Sequence, residues 1–201
     1  LICCNTTTKN KTKNILGHPV YYKNESLNTH LKLGLNIDDK KDISIEYSPF
    51  GKPSGKENIS TSSKYQELSF LKLLNAARKQ KGISELSLNQ DLSRAARYHS
   101  YDMGKQNYFE HDSYDRDQVS TQLIKVCGTF ERIFKFGPNF GGCGENIAAG
   151  NFSAEATYNQ WFNSPGHYKN MFNPKYKNIG IGYVKIDGSD FVHYWTTDFA
   201  N

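Results

Sequence analysis

The sequence predicts an α+β fold in which helices cover an antiparallel sheet. The part of the chain that begins near residue 63 opens with two amphipathic helical patterns. It ends with two segments of alternating residues that are typical of strands. A glycine-rich stretch and a shorter helical pattern lie between them. Helices that come first and strands that come late favour α+β over a regular alternation of the two.

The first two helices are predicted from apolar stripes at helical spacing. One runs from Tyr65, with its stripe at positions 68, 71, 74 and 77, and Lys-Gln-Lys-Gly at 79–82 ends it. The other begins at the cap residue Asn89. Its inward stripe consists of Leu92, Ala95, Ala96, His99 and Met103. A core histidine with satisfied hydrogen bonds is therefore favoured for His99 over a ligand.

Loops and one or two further helices follow. The second helix ends within residues 107–113, which places His111 in a loop. Residues 120–136 carry a mixed pattern that indicates another helix, and residues 138–144 form a glycine-rich loop. Ser153 caps a helix that runs to Trp161. The segment Ser-Pro-Gly at 164–166 breaks that helix.

Two strands are predicted at the end of the chain. In the first, Ile179, Ile181 and Tyr183 share one face, and Gly180 and Gly182 share the other. A face of glycines lets another element approach closely. The second strand covers residues 191–199, and Asp-Gly-Ser-Asp at 187–190 forms the hairpin turn between the two.

Composition and charge exclude some classes of protein. The chain has 201 residues and a net charge of +5, with lysines spread along it rather than gathered in a patch. Nucleic acid is therefore not expected as a partner. No apolar run approaches the ~20 residues of a membrane-spanning helix. Residues 1–62 are predicted to be a tether or extension, either partly disordered or wrapping the domain, and residues 63–201 form that domain.

The four cysteines fall in two groups. A disulfide between Cys127 and Cys143 would close a loop of 17 residues, worth roughly 3 kcal/mol of stability, and would imply an oxidising compartment. Two reduced, buried thiols are the alternative. Cys3 and Cys4 follow Leu-Ile, as at the end of a secretion signal or of a bacterial lipobox, where a cysteine is acylated. These first residues agree with a lipid-anchored protein. They agree equally with a protein that has a truncated signal peptide and no anchor.

Seven short motifs follow one another in a set order between residues 63 and 201. They are Leu-Leu-Asn-Ala-Ala-Arg at 73–78, Ala-Ala-Arg-Tyr-His-Ser at 95–100, Tyr-Phe-Glu-His at 108–111, Gly-Glu-Asn-Ile-Ala at 144–148, Asn-Ser-Pro-Gly-His at 163–167, Ile-Gly-Ile-Gly at 179–182 and Tyr-Trp-Thr-Thr-Asp-Phe at 194–199. Each motif is weak alone. Together they resemble the CAP superfamily (SCP/Tpx-1/Ag5/PR-1/Sc7), and its bacterial branch most.

The resemblance implies a three-layer α-β-α sandwich with a central, mainly antiparallel sheet and a cleft. In many members two histidines and two glutamates line the cleft and can hold a divalent metal, often Zn²⁺. The motifs transfer this role to His111, Glu145 and His167, whereas Ser164 stands where eukaryotic members have the second glutamate. Two imidazoles and one carboxylate are chemically adequate for Zn²⁺. A hydrogen-bonded network that only holds the fold together is the alternative.

Three classes of function follow from the resemblance. The favoured one is a secreted or surface-anchored protein, expected to be a monomer, that acts by binding a protein or lipid partner rather than as an enzyme. The alternatives are a metal-dependent hydrolase of the protease type and a purely structural envelope or host-interaction module. A lipid ligand predicts an exposed apolar groove between helices. Nothing in the sequence places Asp198 or Ser113 at the cleft.

Overall fold

The computed structural model describes residues 52–117, 119–137 and 140–201. Cys3, Cys4 and most of the predicted extension lie outside the described residues. The helices of the described part are α1 Lys64–Gln80, α2 Gln90–Gln106, α3 Thr129–Phe136, α4 Ala154–Phe162 and α5 Pro165–Met171. The strands are β1 Ser87–Leu88, β2 Ser113–Arg116, β3 Leu123–Cys127, β4 Cys143–Ala149, β5 Asn178–Lys185 and β6 His193–Ala200. None of these helices is long and apolar enough to cross a bilayer.

The strands form a four-stranded sheet and a separate hairpin. The order in the sheet is β1-β5-β6-β4, in which β6 is antiparallel to both of its neighbours and β1 is parallel to β5. The hairpin consists of β2 and β3. The predicted α+β class with a mainly antiparallel sheet is confirmed, and β4 is an edge strand of that sheet.

Helix α2 packs on one face of the sheet at backbone distance. A Cβ atom on Gly180 would lie 2.0 Å from the carbonyl carbon of Leu92, and one on Gly182 would lie 2.3 Å from that of Ala96. Side chains larger than hydrogen do not fit into such a gap, so only glycine permits the contact. The glycine face of the strand therefore receives a helix, as its pattern predicts.

The opposite face of the sheet carries α1, α4 and α5. The core on this side is built from large, fully buried side chains: Phe70, Leu74, Trp161, Ile179, Ile181, Trp195 and Phe199. Trp161 packs edge-on against Phe70, with ring centroids 5.2 Å apart. The indole N–H of Trp161 donates to Ile147 O at 3.1 Å and so fastens α4 to the edge strand. Helices on both faces produce the three layers that the resemblance implies.

The two predicted helix caps are confirmed. The side chains of Asn89 and Ser153 accept hydrogen bonds from the backbone N–H groups of Leu92 and Ala156. Ser63 does the same at the start of α1. Each cap satisfies one of the free N–H groups of a first helical turn and is worth about 1 kcal/mol.

One local prediction is wrong. The helix predicted over residues 120–136 begins only at Thr129, because Leu123–Cys127 form β3, in which the β-branched residues Ile124 and Val126 favour a strand. The break predicted at 164–166 is confirmed, since α4 ends at Phe162. The same segment also begins helix α5, because proline at the first helical position has no N–H to lose, so His167 lies on a helix.

Residues 52–62, the described end of the predicted extension, lie against the domain. The Arg94 guanidinium donates to the backbone oxygens of Gly55 at 2.5 Å and of Glu57 at 3.1 Å. Ile59 is buried, and the Ser62 N–H donates to Tyr183 O at 2.9 Å. This segment is therefore part of the packed structure.

Replacing Gly182 with alanine is expected to lower the free energy of unfolding by about 3 kcal/mol, because the new methyl group would force α2 away from the sheet. Urea unfolding followed by circular dichroism measures the change. Gly141→Ala is the matched control, since a Cβ there meets nothing nearer than 3.6 Å, and it should shift stability by no more than about 0.5 kcal/mol. Equal loss of stability in both variants would contradict the close contact.

Candidate functional site

The loop that carries His111 is held by two helices. Helix α2 ends at Asn107, whose left-handed backbone (φ 54°) turns the chain. The imidazole Nε2 of His99 on α2 lies 2.9 Å from Glu110 O. From α3, the Arg132 guanidinium donates to His111 O at 3.0 Å. His111 is thus fixed between α2 and α3.

Glu145 on β4 is the central carboxylate of the site. Its side chain is 1% exposed, and one carboxylate oxygen accepts a hydrogen bond from His111 Nδ1 at 2.7 Å. The other oxygen forms a salt bridge with Arg132. Burial raises the pKa of Glu145, but the guanidinium and the nearby imidazoles outweigh it and bring the pKa to about 2. Glu145 is therefore ionised at neutral pH, and both of its oxygens are occupied.

His167 reaches the site from α5. Asn146 on β4 donates to His167 O at 3.1 Å, and Asn170 on α5 donates to Glu145 O at 3.1 Å. These two amides tie α5 to the edge strand. The imidazole Nδ1 of His167 is buried and has no hydrogen-bond partner among the described residues. Burial, together with the nearby His111, lowers the pKa of His167 to about 4.

The structure brings His111 into contact with Glu145 and places His167 within reach of the charge of His111, and it adds residues that the sequence does not place at the cleft. Arg132 is fully buried and also donates to Ser113 Oγ at 3.0 Å. Asp198 on β6 lies directly opposite Glu145 in the pairing of β4 with β6. The Asp198 carboxyl is fully buried, and neither of its oxygens has a hydrogen bond of ordinary geometry within the described ranges. Burial and the Glu145 charge raise the pKa of Asp198 well above its usual value, which favours the protonated acid.

Neither Ser164 nor Glu155 adds a carboxylate to the cleft. Ser164 is the residue before α5, and its hydroxyl makes no cap hydrogen bond. Glu155 lies in the first turn of α4 and lines a groove with Tyr65. The position where some relatives carry a second glutamate is thus a small hydroxyl side chain here.

The residues as arranged do not fit a three-ligand metal site. In the described part of the chain, no group of three or more His, Cys, Asp or Glu side chains is placed to hold an ion. Glu145 contacts His111 and Arg132 with its two oxygens. The side chains that remain as ligands for a metal ion are the imidazoles of His111 and His167. Two nitrogens are fewer than the three protein ligands of typical catalytic zinc sites. Metal binding by the predicted triad stays a prediction.

Cys127 and Cys143 are free thiols in this structure. The disulfide expected from the sequence is not formed. Cys127 ends β3 in the hairpin and Cys143 begins β4 in the four-stranded sheet, so the two belong to different sheets. Burial raises the pKa of each thiol to about 11. Neither is sufficiently ionised near neutral pH to act as a nucleophile.

A further buried carboxyl lies on α2. The Tyr108 hydroxyl donates to Asp102 Oδ2 at 2.5 Å, and both side chains are buried. Burial raises the pKa of Asp102 to about 7, although the bond from Tyr108 and the charge of Arg132 lower it. Asp102 therefore changes its protonation state near neutral pH.

A surface groove runs between α1 and the start of α4. It has a volume of about 460 Å³ and is lined by Tyr65, Gln66, Ser69, Lys72, Leu73, Ala76, Ser153, Ala154 and Glu155. Tyr65 is 72% exposed and Leu73 is 37% exposed, so large apolar side chains face the solvent here. A lipid ligand would need an exposed groove between helices, and lipid binding itself stays a prediction.

Comparison with known proteins identifies the family. A family model for CAP, the cysteine-rich secretory protein family, matches residues 71–199. The uncharacterized protein YkwD of Bacillus subtilis is 36% identical over 133 residues, which cover 66% of this chain and 46% of YkwD. The uncharacterized membrane protein YlbC of the same organism is 30% identical over 140 residues, which cover 69% of this chain and 37% of YlbC. The chain spans less than half the length of these two relatives.

Solved structures confirm the fold. An extracellular SCP-domain protein from Bacillus anthracis has a TM-score of 0.57 and 25% identity over 72% of this chain and 45% of its own. An outer surface protein from Borrelia burgdorferi also has a TM-score of 0.57, with 20% identity over 69% of this chain and 93% of its own. The second match concerns the fold alone.

Asp102→Asn is expected to stabilise the protein relative to the wild type at pH 8 but not at pH 4. The folded-state pKa of Asp102 is raised from 3.8 to about 7. The protonated carboxyl therefore stabilises the folded protein at low pH, and this contribution is lost as the pH rises from the unfolded-state pKa through the folded-state pKa. Between pH 4 and pH 8 the difference in free energy of unfolding should grow by up to about 4 kcal/mol. Urea unfolding at several pH values measures it.

The control for this series is the exposed Asp190→Asn, whose difference from the wild type should stay constant with pH. All other titratable groups are common to the variant and the wild type, so their contributions cancel in the difference in free energy of unfolding. A pH-independent difference for Asp102→Asn would show that the buried carboxyl does not take up a proton in this range.

Proposed function

The chain belongs to the CAP family, and on that premise we propose that it is a bacterial extracellular binding protein whose ligand inserts an apolar chain into the groove between α1 and α4. The observation that carries the proposal is the groove itself. Its volume of about 460 Å³ falls within the range of small-molecule sites, roughly 300–1,000 Å³. A purely structural module would not need such an opening.

The chemistry of the groove favours an amphiphile. Ala76, Leu73 and Tyr65 supply apolar parts of the lining, and Lys72 and Glu155 add one positive and one negative side chain to it. Phe152, next to the groove residue Ser153, is 70% exposed and extends the apolar surface. Each CH₂ group that leaves water contributes about 0.8 kcal/mol, and a lysine beside an apolar wall suits an anionic head group. A fatty acid has both features.

An extracellular location is part of the proposal. It is supported by the similarity to an extracellular protein of Bacillus anthracis. A lipid anchor at Cys3 or Cys4 stays a prediction, because both residues lie outside the described part of the chain. Acylation would be detected as an added mass on the N-terminal peptide of the protein isolated from its native membrane fraction.

Glu145 is not favoured as the general base of the hydrolase alternative. A general base must be free to accept a proton, and the Glu145 carboxylate is already paired with Arg132 and His111. The thiols of Cys127 and Cys143 are not activated as nucleophiles. We therefore propose a binding function, and a hydrolase that uses the imidazole of His111 or His167 as its base stays the alternative.

Ala76→Trp is expected to weaken the binding of a fatty acid by about tenfold or more, because an indole at this exposed position fills the groove. Titration of palmitate by isothermal calorimetry measures the affinity. Lys72→Glu should weaken palmitate but leave its methyl ester unaffected, which separates the head-group contact from burial of the chain.

Glu85→Trp is the matched control, since it adds the same ring at an exposed loop position outside the groove. Its affinity for palmitate should equal that of the wild type. Absence of palmitate binding to the wild type, or equal binding by the wild type and Ala76→Trp, would reject the groove as the ligand site.

A further inference from the structure

The position of Arg132 decides what the cleft can bind. The Arg132 side chain is fully buried, and its donors reach three acceptors: Glu145 Oε2, His111 O and Ser113 Oγ. Arginine carries a permanent positive charge and has no acceptor atom. It therefore competes with a metal ion for the charge of the Glu145 carboxylate, and it cannot itself serve as a ligand.

The charges around Glu145 also disfavour a metal ion at this carboxylate. The charged and titratable groups packed around it are Arg132 from α3, His111 from its loop, His99 from α2 and Asp198 from β6. Arg132 neutralises the single carboxylate charge, and Asp198 has no cation of its own. A divalent ion at Glu145 would share that buried carboxylate with the Arg132 guanidinium. Two cations on one buried carboxylate repel each other strongly.

The His111 contact completes the argument. An ionised carboxylate only accepts hydrogen bonds, so His111 Nδ1 donates to Glu145 across 2.7 Å. His111 Nε2 is therefore the ring nitrogen that does not contact Glu145. His167 lies near enough to His111 to be affected by its charge, and its Nδ1 is buried without a hydrogen bond in the described ranges. The side chains that remain for a ligand are thus two imidazoles.

We propose that Arg132 excludes divalent metal ions from this cleft by occupying Glu145, so that the cleft is a metal-free site formed by the imidazoles of His111 and His167. Arg132 is in this sense the residue that determines specificity. The proposal does not depend on the lipid groove, because none of the groove residues takes part in it.

Titration with Zn²⁺ alone, followed by calorimetry and by the imidazole NMR signals of His111 and His167, tests the proposal on the full chain. The wild type and Glu145→Gln should give the same weak titration, because Glu145 contributes nothing to the metal. Arg132→Gln frees the carboxylate, so its affinity for Zn²⁺ should rise by about tenfold or more. The double variant with Glu145→Gln should lose that gain.

Glu155→Gln controls for Zn²⁺ held by surface carboxylates and should behave as the wild type. Two results would overturn the proposal: Zn²⁺ binding to the wild type that Glu145→Gln abolishes, or a folded Arg132→Gln with no gain in affinity. Arg132→Gln and Glu145→Gln each leave one buried charge without its partner and can prevent folding. In that case the comparison of the wild type with the double variant decides, because the double variant removes both charges. Equal titrations of these two proteins support the proposal, and unequal ones reject it.

Discussion

The contact between α2 and the glycine face of β5 is the constraint on which the rest of the structure depends. Because Gly180 and Gly182 admit the backbone of α2, polar side chains on the inner face of that helix become fully buried and need partners inside the protein. His99 Nε2 and Asp102 find theirs in Glu110 O and the Tyr108 hydroxyl. His99 Nδ1 has no partner among the described residues, so the predicted core histidine is only half satisfied. Glu110 and Tyr108 both belong to the loop that leads to His111. Close packing of one helix thus also fixes the loop that supplies the cleft.

Arg132 fixes the same loop from α3. Its main effect is on the position of the cleft residues rather than on stability. A buried ion pair is weak evidence for stability, because the loss of hydration offsets much of the attraction. Loss of one partner is costly, about 3–5 kcal/mol, because it leaves the other charge buried alone. The pair with Glu145 therefore keeps that carboxylate ionised and in place. An ionised Glu145 holds His111 with Nδ1 as donor, which sets the orientation of the imidazole.

Much of the fold could be predicted from the sequence, because its long elements carry their own signals. Helices α1 and α2 each contain several turns with a regular apolar stripe, and the glycines of β5 alternate with buried residues. The hairpin strand β3 and helix α3 are too short to show a clear hydrophobic periodicity, so the sequence pattern predicts one helix over residues 120–136. Their boundary depends on pairing with β2, which is a tertiary contact. Short elements such as these take their structure from packing rather than from local pattern.

The site was only half predictable for the same reason. His111, Glu145 and His167 lie in motifs of the family, so the resemblance found them. Arg132 lies on the short helix α3, and Asp198 meets Glu145 only through the register of β4 with β6, which joins residues 53 positions apart in the chain. Neither position carries a local signal.

The groove and the cleft lie along one connection formed by α4 and α5. The first turn of α4 lines the groove, and the helix leads through Ser164 into α5, which carries His167. Between these ends, Trp161 is fully buried and its indole N–H is bound to Ile147 O on β4. The middle of the connection is thereby fastened to the sheet, so we expect a side chain added at Ala76 to fill the groove without reaching the contacts that hold His167. The ligand binding proposed for the groove and the metal exclusion proposed for the cleft can therefore be tested independently of each other.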